Sequence, residues 1–190
     1  MGIEIHDGLE LWPVRQFNPD TVLRPGVYHG MSGTNAYGPG ANKLIGQYWA
    51  LPRAATCDRI AVSVQTPDSG KGMRLGIYAD EDLDGYPDRL LLDAGTVDVG
   101  STGTKALLIQ QQLGAGLYFL ALLANSATAT IWMDDVPRMR SPLGLNAEPG
   151  LPTFAWQVTC GFGALPDPFP SGAAPMNDAW GIALRLKSLD

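Results

Sequence analysis

Residues 59–79 read RIAVSVQTPDSGKGMRLGIYA, and the alternation inside that stretch decides the fold class. Ile60, Val62 and Val64 fall on one side of an extended chain, and Ala61, Ser63 and Gln65 on the other. Strand side chains alternate between faces, whereas the apolar positions of a helix recur about every 3.6 residues, so this is a half-buried strand. Leu75 and Ile77 repeat the pattern over 73–79. The intervening TPDSGKG is a cluster of turn formers, and it predicts a hairpin connecting the two strands.

The same reading extends along the chain. Residues 117–124 (LYFLALLA) are apolar on both faces, as a strand buried on both sides requires. Ala129, Ile131 and Met133 alternate with Thr128, Thr130 and Trp132, and Phe154, Trp156 and Val158 alternate with Thr153, Ala155 and Gln157. Over 180–187, Ile182, Leu184 and Leu186 point inward, and Arg185 and Lys187 outward. Further strands are expected near 22–28, 44–51, 89–99 and 104–112. About nine or ten short segments separated by turn signals indicate an all-β, antiparallel β-sandwich. Jelly-roll topology is preferred, because it accommodates that many strands without long open edges. Trp132, Trp156 and Trp180 are expected in the core.

The chain has 190 residues, 45% of them apolar and 17% charged, with 23 Gly and 15 Pro. That balance fits a globular, turn-rich protein: residues 1–20 as an N-terminal arm or edge segment, and 21–190 as a single β-sandwich domain. The stretches 31–42, 137–152 and 165–178 read as loops, the last excluded from a central strand by its prolines. A net charge of −6 argues against nucleic-acid binding, which needs a basic face. Acids stand where a secretion signal needs basic residues, and no apolar run is long enough for membrane insertion, so synthesis in the cytoplasm is expected. Cys57 and Cys160 match no metal-ligand spacing and read as buried free thiols, with a disulfide as the competing reading.

The strongest chemical motif is 80–85, DEDLDG. Hard oxygen ligands at alternate positions, with Gly to turn the backbone, suit Ca²⁺. Asp80, Asp82 and Asp84 take the first, third and fifth places, and Asp88 the ninth. Leu91 stands at the twelfth, where a bidentate Glu is usual, and strands rather than helices flank the loop. A solvated acidic hairpin tip is the competing reading. Catalytic patterns fail. His6 and His29 lack a second ligand at regular spacing, and Ser32 in GMSGT misses the nucleophile-elbow pattern. GSTGTK over 100–105 has the wrong spacing for a phosphate loop. Asp134 and Asp135 are adjacent, so on a strand they face opposite ways and make no glycosidase pair. Tyr37, in the glycine-rich loop, and Tyr86, at the acidic tip, are the candidate exposed ligand-contact residues.

Several of these stretches carry a resemblance. Residues 74–78 (RLGIY), the Asp/Gly tip, 86–91 (YPDRLL) and 114–122 (GAGLYFLAL) resemble a jelly-roll module of tailed-bacteriophage structural proteins. The usual wording of that module is an R-L-G-I-Y strand, a G-x-P-G-x-L-L connection and an L-x-x-G-x-Y-W-L-A strand. Residues 162–166 (FGALP), followed by Phe169 and Pro170, resemble its closing segment. Asp88 replaces the usual Gly and Phe119 the usual Trp. The resemblance spans 60–187 and implies a non-enzymatic virion component made in the host cytoplasm. It would work as a homo-oligomer, a trimer suiting a fibre, with other virion proteins and host-surface glycan as partners. A tail-fibre or receptor-binding role leads. The alternatives are a head decoration (cement) protein on the capsid and, from another class, a carbohydrate-binding module.

Overall fold

The strand predicted at 59–65 forms most of the C-terminal part of a twelve-residue strand in a computed structural model that describes residues 23–30, 35–135, 146–148 and 151–190. The expected arm at 1–20, with His6, and most of the 137–152 loop lie outside the described residues, as does Ser32. The strands are β1 Tyr28–Gly30, β2 Asn35–Tyr37, β3 Lys43–Leu51, β4 Ala55–Thr66, β5 Gly72–Ala79, β6 Leu90–Asp98, β7 Gly103–Leu113 and β8 Gly116–Ala124. They continue with β9 Thr130–Asp135, β10 Asn146–Glu148, β11 Leu151–Pro152, β12 Ala155–Thr159, β13 Ala174–Met176, β14 Asp178–Trp180 and β15 Ile182–Leu189. The described residues thus hold fifteen strand segments and no helix. The surplus over the expected number consists mostly of two- and three-residue pieces without a readable period. The strand expected at 22–28 is realised only from Tyr28 onward.

Eight strands form two antiparallel four-stranded layers, β2-β9-β4-β7 and β3-β8-β5-β6. Successive strands cross from one layer to the other except at β5–β6, which gives the jelly-roll arrangement. Five of the remaining strands extend the layers, while β10 and β11 pair with each other as a separate two-stranded sheet. β15 lies along β4 on the edge opposite β7, with β1 beyond it, and β14 pairs with β9. β12 pairs with β3, and β13 closes that side.

The hairpin expected between 59–65 and 73–79 does not form, because β4 and β5 belong to different sheets. Their apolar faces meet across the core, and TPDSGKG is the crossing. Asp68 fixes that crossing: its Oδ2 accepts the Ser126 hydroxyl at 2.7 Å and the Thr128 hydroxyl at 2.9 Å, and its N–H donates to Val99 O. Alternation specified each strand's buried face but not its neighbour.

Between the sheets, Ile60, Val62, Val64, Leu184 and Leu186 pack with Leu75, Ile77, Leu120 and Leu122 in one continuous buried cluster. β8 also buries its other face, as its sequence predicts. Phe119, Ala121 and Leu123 join Leu44, Tyr48 and Tyr78 beneath a strap formed by 161–173, which contributes Leu165 and Phe169. Tyr78 and Phe169 meet edge to face at 5.1 Å, and the Tyr78 hydroxyl donates to Pro166 O at 2.7 Å. Burial of each such side chain stabilises the fold by about 1.5–3 kcal/mol.

The tryptophans divide. Trp180 is buried and Trp156 half-buried, but Trp132 is 36% exposed, which corrects its assignment to the core. β9 directs Ile131 and Met133 inward, so the residue between them must face out. Cys57 and Cys160 are both free thiols; Cys57 is buried in the inter-sheet core, whereas Cys160 is only half-buried.

Candidate functional site

Residues 80–89 connect β5 to β6, the one hairpin within a layer among the eight jelly-roll strands. Ala79 and Asp88 clamp its base, with Asp88 N–H donating to Ala79 O at 2.8 Å. Within the loop, side-chain carboxylates hold the backbone. Asp88 Oδ2 accepts Glu81 N–H at 2.8 Å, Asp84 Oδ1 accepts Tyr86 N–H at 2.8 Å, and Asp80 Oδ2 accepts Gly85 N–H at 3.2 Å. The turn passes through left-handed backbone at Leu83 and Gly85, with φ of 59° and 82°. Gly is the residue that tolerates this conformation without strain.

This folding brings together three of the four carboxylates singled out in the sequence. One carboxylate oxygen from each of Asp80, Asp82 and Asp88 lies within 4.8 Å of the other two. Asp84 stays outside that group, its carboxylate turned to the backbone of Tyr86. Asp80 is 6% exposed, and its Oδ1 has no hydrogen-bond partner among the described residues. Burial pushes the Asp80 carboxyl up to about 6; the Gly85 N–H opposes that rise, and the charges of Asp84, Asp88 and Asp82 add to it. The nearby cation Arg89 pairs with Glu81 at 2.5 Å. An open cleft of about 520 Å³ gives access, lined by Asp82, Asp88, Arg89 and Asp167.

Tyr86 is not the exposed contact residue expected from the sequence. Its ring packs 4.9 Å from Trp156 and 5.9 Å from Phe169, and its hydroxyl donates to Pro170 O at 2.6 Å while accepting Ala173 N–H at 3.1 Å. Trp156 Nε1–H donates to Gly85 O at 2.7 Å. Tyr86 therefore ties the acidic loop to the strap. Tyr37 is exposed at 51%, as expected.

Tyr37 lies on β2 at the open end of the sandwich, where it lines a cleft of about 250 Å³ with Met133, Gln157, Met176, Asp178 and Trp180. The Trp180 indole Nε1–H is buried with no hydrogen-bond partner among the described residues. Gln157 and Trp180 were missed in the sequence because one reads as an ordinary outward strand residue and the other as core. Only the convergence of β2, β9, β12, β13 and β14 places them side by side. The phosphate-loop lookalike at 100–105 is a plain turn in which Lys105 Nζ donates to Ser101 Oγ at 2.6 Å. His29 packs back on the segment that precedes its strand, with Nε2 3.2 Å from Arg24 O. Compared with known proteins, the chain matches no family model and no curated protein sequence.

Proposed function

We propose that the protein is a non-enzymatic virion structural protein of the tail-fibre or receptor-binding type, acting by assembly and by adhesion to host-surface glycan. The observation that carries the adhesion reading is the cleft at the open end of the sandwich, where exposed Tyr37 stands with Gln157 and Asp178. An aromatic face packs on the C–H face of a sugar ring, and neighbouring amide and carboxylate groups take its hydroxyls. At about 250 Å³ the cleft suits a single ring rather than a long chain.

Assembly is supported by β7. This eleven-residue strand pairs with β4 on one edge only among the described residues, and it carries Leu108 at 77% exposure. A long unpaired edge with an exposed apolar residue is a template for another chain. A closed homo-oligomer would satisfy such an edge by symmetry.

The test joins a mass measurement in solution by light scattering with binding to a panel of immobilised bacterial surface polysaccharides. A stable oligomer that binds a polysaccharide, with binding weakened about tenfold by Tyr37→Ala, supports the reading. A monomer that binds soluble sugar would instead be a carbohydrate-binding module. A protein that binds no polysaccharide sinks the adhesion claim and turns attention to capsid decoration.

A further inference from the structure

We propose that the β5–β6 loop is a calcium site in which Asp80, Asp82 and Asp88 bind one Ca²⁺ through carboxylate oxygens. The geometry meets the first requirement. Calcium–oxygen distances are about 2.3–2.6 Å, so two oxygens on one ion stand no more than about 5 Å apart. All three carboxylates satisfy that limit mutually, with oxygens within 4.8 Å of one another.

A second, independent observation points to a ligand. Asp80 is more than nine-tenths buried, its carboxylate belongs to the cluster, and its Oδ1 has no hydrogen-bond partner among the described residues. A buried carboxylate oxygen without a donor is costly, because desolvation is not offset. Here two further carboxylates stand against it, and the cation beside the loop, Arg89, is engaged by Glu81. A divalent cation satisfies all three at once.

The donor set selects the ion. It is all oxygen, without His or Cys, which disfavours zinc and copper. The loop's irregular backbone accommodates the variable coordination of Ca²⁺, whose remaining ligands are backbone carbonyls and water, better than the strict octahedron of Mg²⁺. The open cleft over Asp82 and Asp88 provides an entry path. Because Gly85 and Tyr86 of the same loop hold Trp156 and the strap, binding here stiffens the cover of one sheet.

The experiment uses the full chain after chelator treatment, titrated with CaCl₂ by calorimetry and with TbCl₃ by luminescence excited through the neighbouring Trp156. One ion per chain with a Kd of about 10⁻⁶–10⁻³ M is expected, with weaker Mg²⁺ binding and a Tm that rises with Ca²⁺ concentration. Asp82→Asn and Asp88→Asn, at exposed and half-buried positions that leave the core intact, should each weaken binding about tenfold or more, whereas Asp84→Asn should change it less than about threefold. The absence of heat, luminescence and Tm shift at about 10 mM Ca²⁺, ten times the weakest Kd of the range, overturns the site. So does binding that survives Asp82→Asn and Asp88→Asn but is lost in Asp84→Asn.

Discussion

Gln47 and Trp180 join the two sheets by a direct hydrogen bond: Gln47 Oε1 accepts the Trp180 backbone N–H at 2.8 Å. Gln47 is 1% exposed, on β3, and its Nε2 also donates to Phe154 O at 3.1 Å. One side chain thus ties β3 to β14 and to the residue that leads into β12, where the sandwich opens into the Tyr37 cleft.

Replacing that side chain by an apolar one of similar size should be costly. Gln47→Leu leaves the Trp180 N–H buried without an acceptor, for an expected loss of about 1–3 kcal/mol in chemical denaturation. Phe154 O keeps its second donor, Tyr48 N–H at 3.0 Å, so the loss falls mainly on the β14 side. A Gln47→Leu protein as stable as the parent would show that the bond contributes nothing.

Acid should loosen the strap. Burial alone would raise the Asp93 carboxyl, but Arg74 Nε at 2.7 Å and the Leu165 and Gly95 N–H groups outweigh it and hold it below the ordinary carboxylate range. The Asp58 carboxyl is likewise lowered, chiefly by its hydrogen bond to Arg185. A carboxylate with a depressed folded-state pKa stabilises fully above its unfolded value and loses that contribution as pH falls through the folded one. Stability should therefore fall as pH drops below the unfolded value of 3.8, and Asp93→Asn should flatten part of that slope. Tm measured from neutral pH down through that range checks it, and an unchanged slope in Asp93→Asn would remove Asp93 from the account.

Gly181 should not tolerate a side chain. Where β14 hands over to β15, Gly181 N–H donates to Trp132 O at 2.9 Å, and a Cβ there would lie 2.6 Å from that oxygen. Gly181→Ala must push β9 and the C-terminal strand apart, an overpacking cost of about 1–3 kcal/mol. Gly161→Ala, with nothing within 4 Å of its added Cβ, should stay within about 0.5 kcal/mol. Equal stabilities for the two variants would contradict the close approach.

The two thiols should react differently. Burial, reinforced by the charge of Asp58, pushes the Cys57 thiol up to about 12, and no part of the residue is exposed. Cys160 is half-buried beside the strap. Native alkylation near about pH 8 should modify Cys160 and spare Cys57, with both reacting after unfolding. Mass spectrometry of the labelled peptides reads the outcome, and rapid native labelling of Cys57 would mean that the core opens there.

Much of the candidate calcium site was legible because its residues are close in sequence. Asp80, Asp82 and Asp88 occupy one loop, and alternate spacing with a following Gly describes a tight acidic turn before any tertiary contact is known. That Asp84 would turn away to cap Tyr86 N–H, and that Asp80 would be buried, depended on how the loop docks against Trp156 and the strap. The Tyr37 cleft was legible only in its exposed tyrosine, because its other walls come from strands far apart in the chain.

The sequence by itself determined that the chain is all-β, which face of β4 and β15 is buried, and that β8 is apolar on both sides. Those are consequences of period two, a property each strand carries locally. Tertiary structure alone decided that β4 and β5 face each other across the core instead of pairing, that Trp132 stays exposed, and that 161–173 covers the outer face of β8. Strand pairing is a competition among distant segments for the same hydrogen-bonding edges, and the winner depends on which faces the whole chain can bury together.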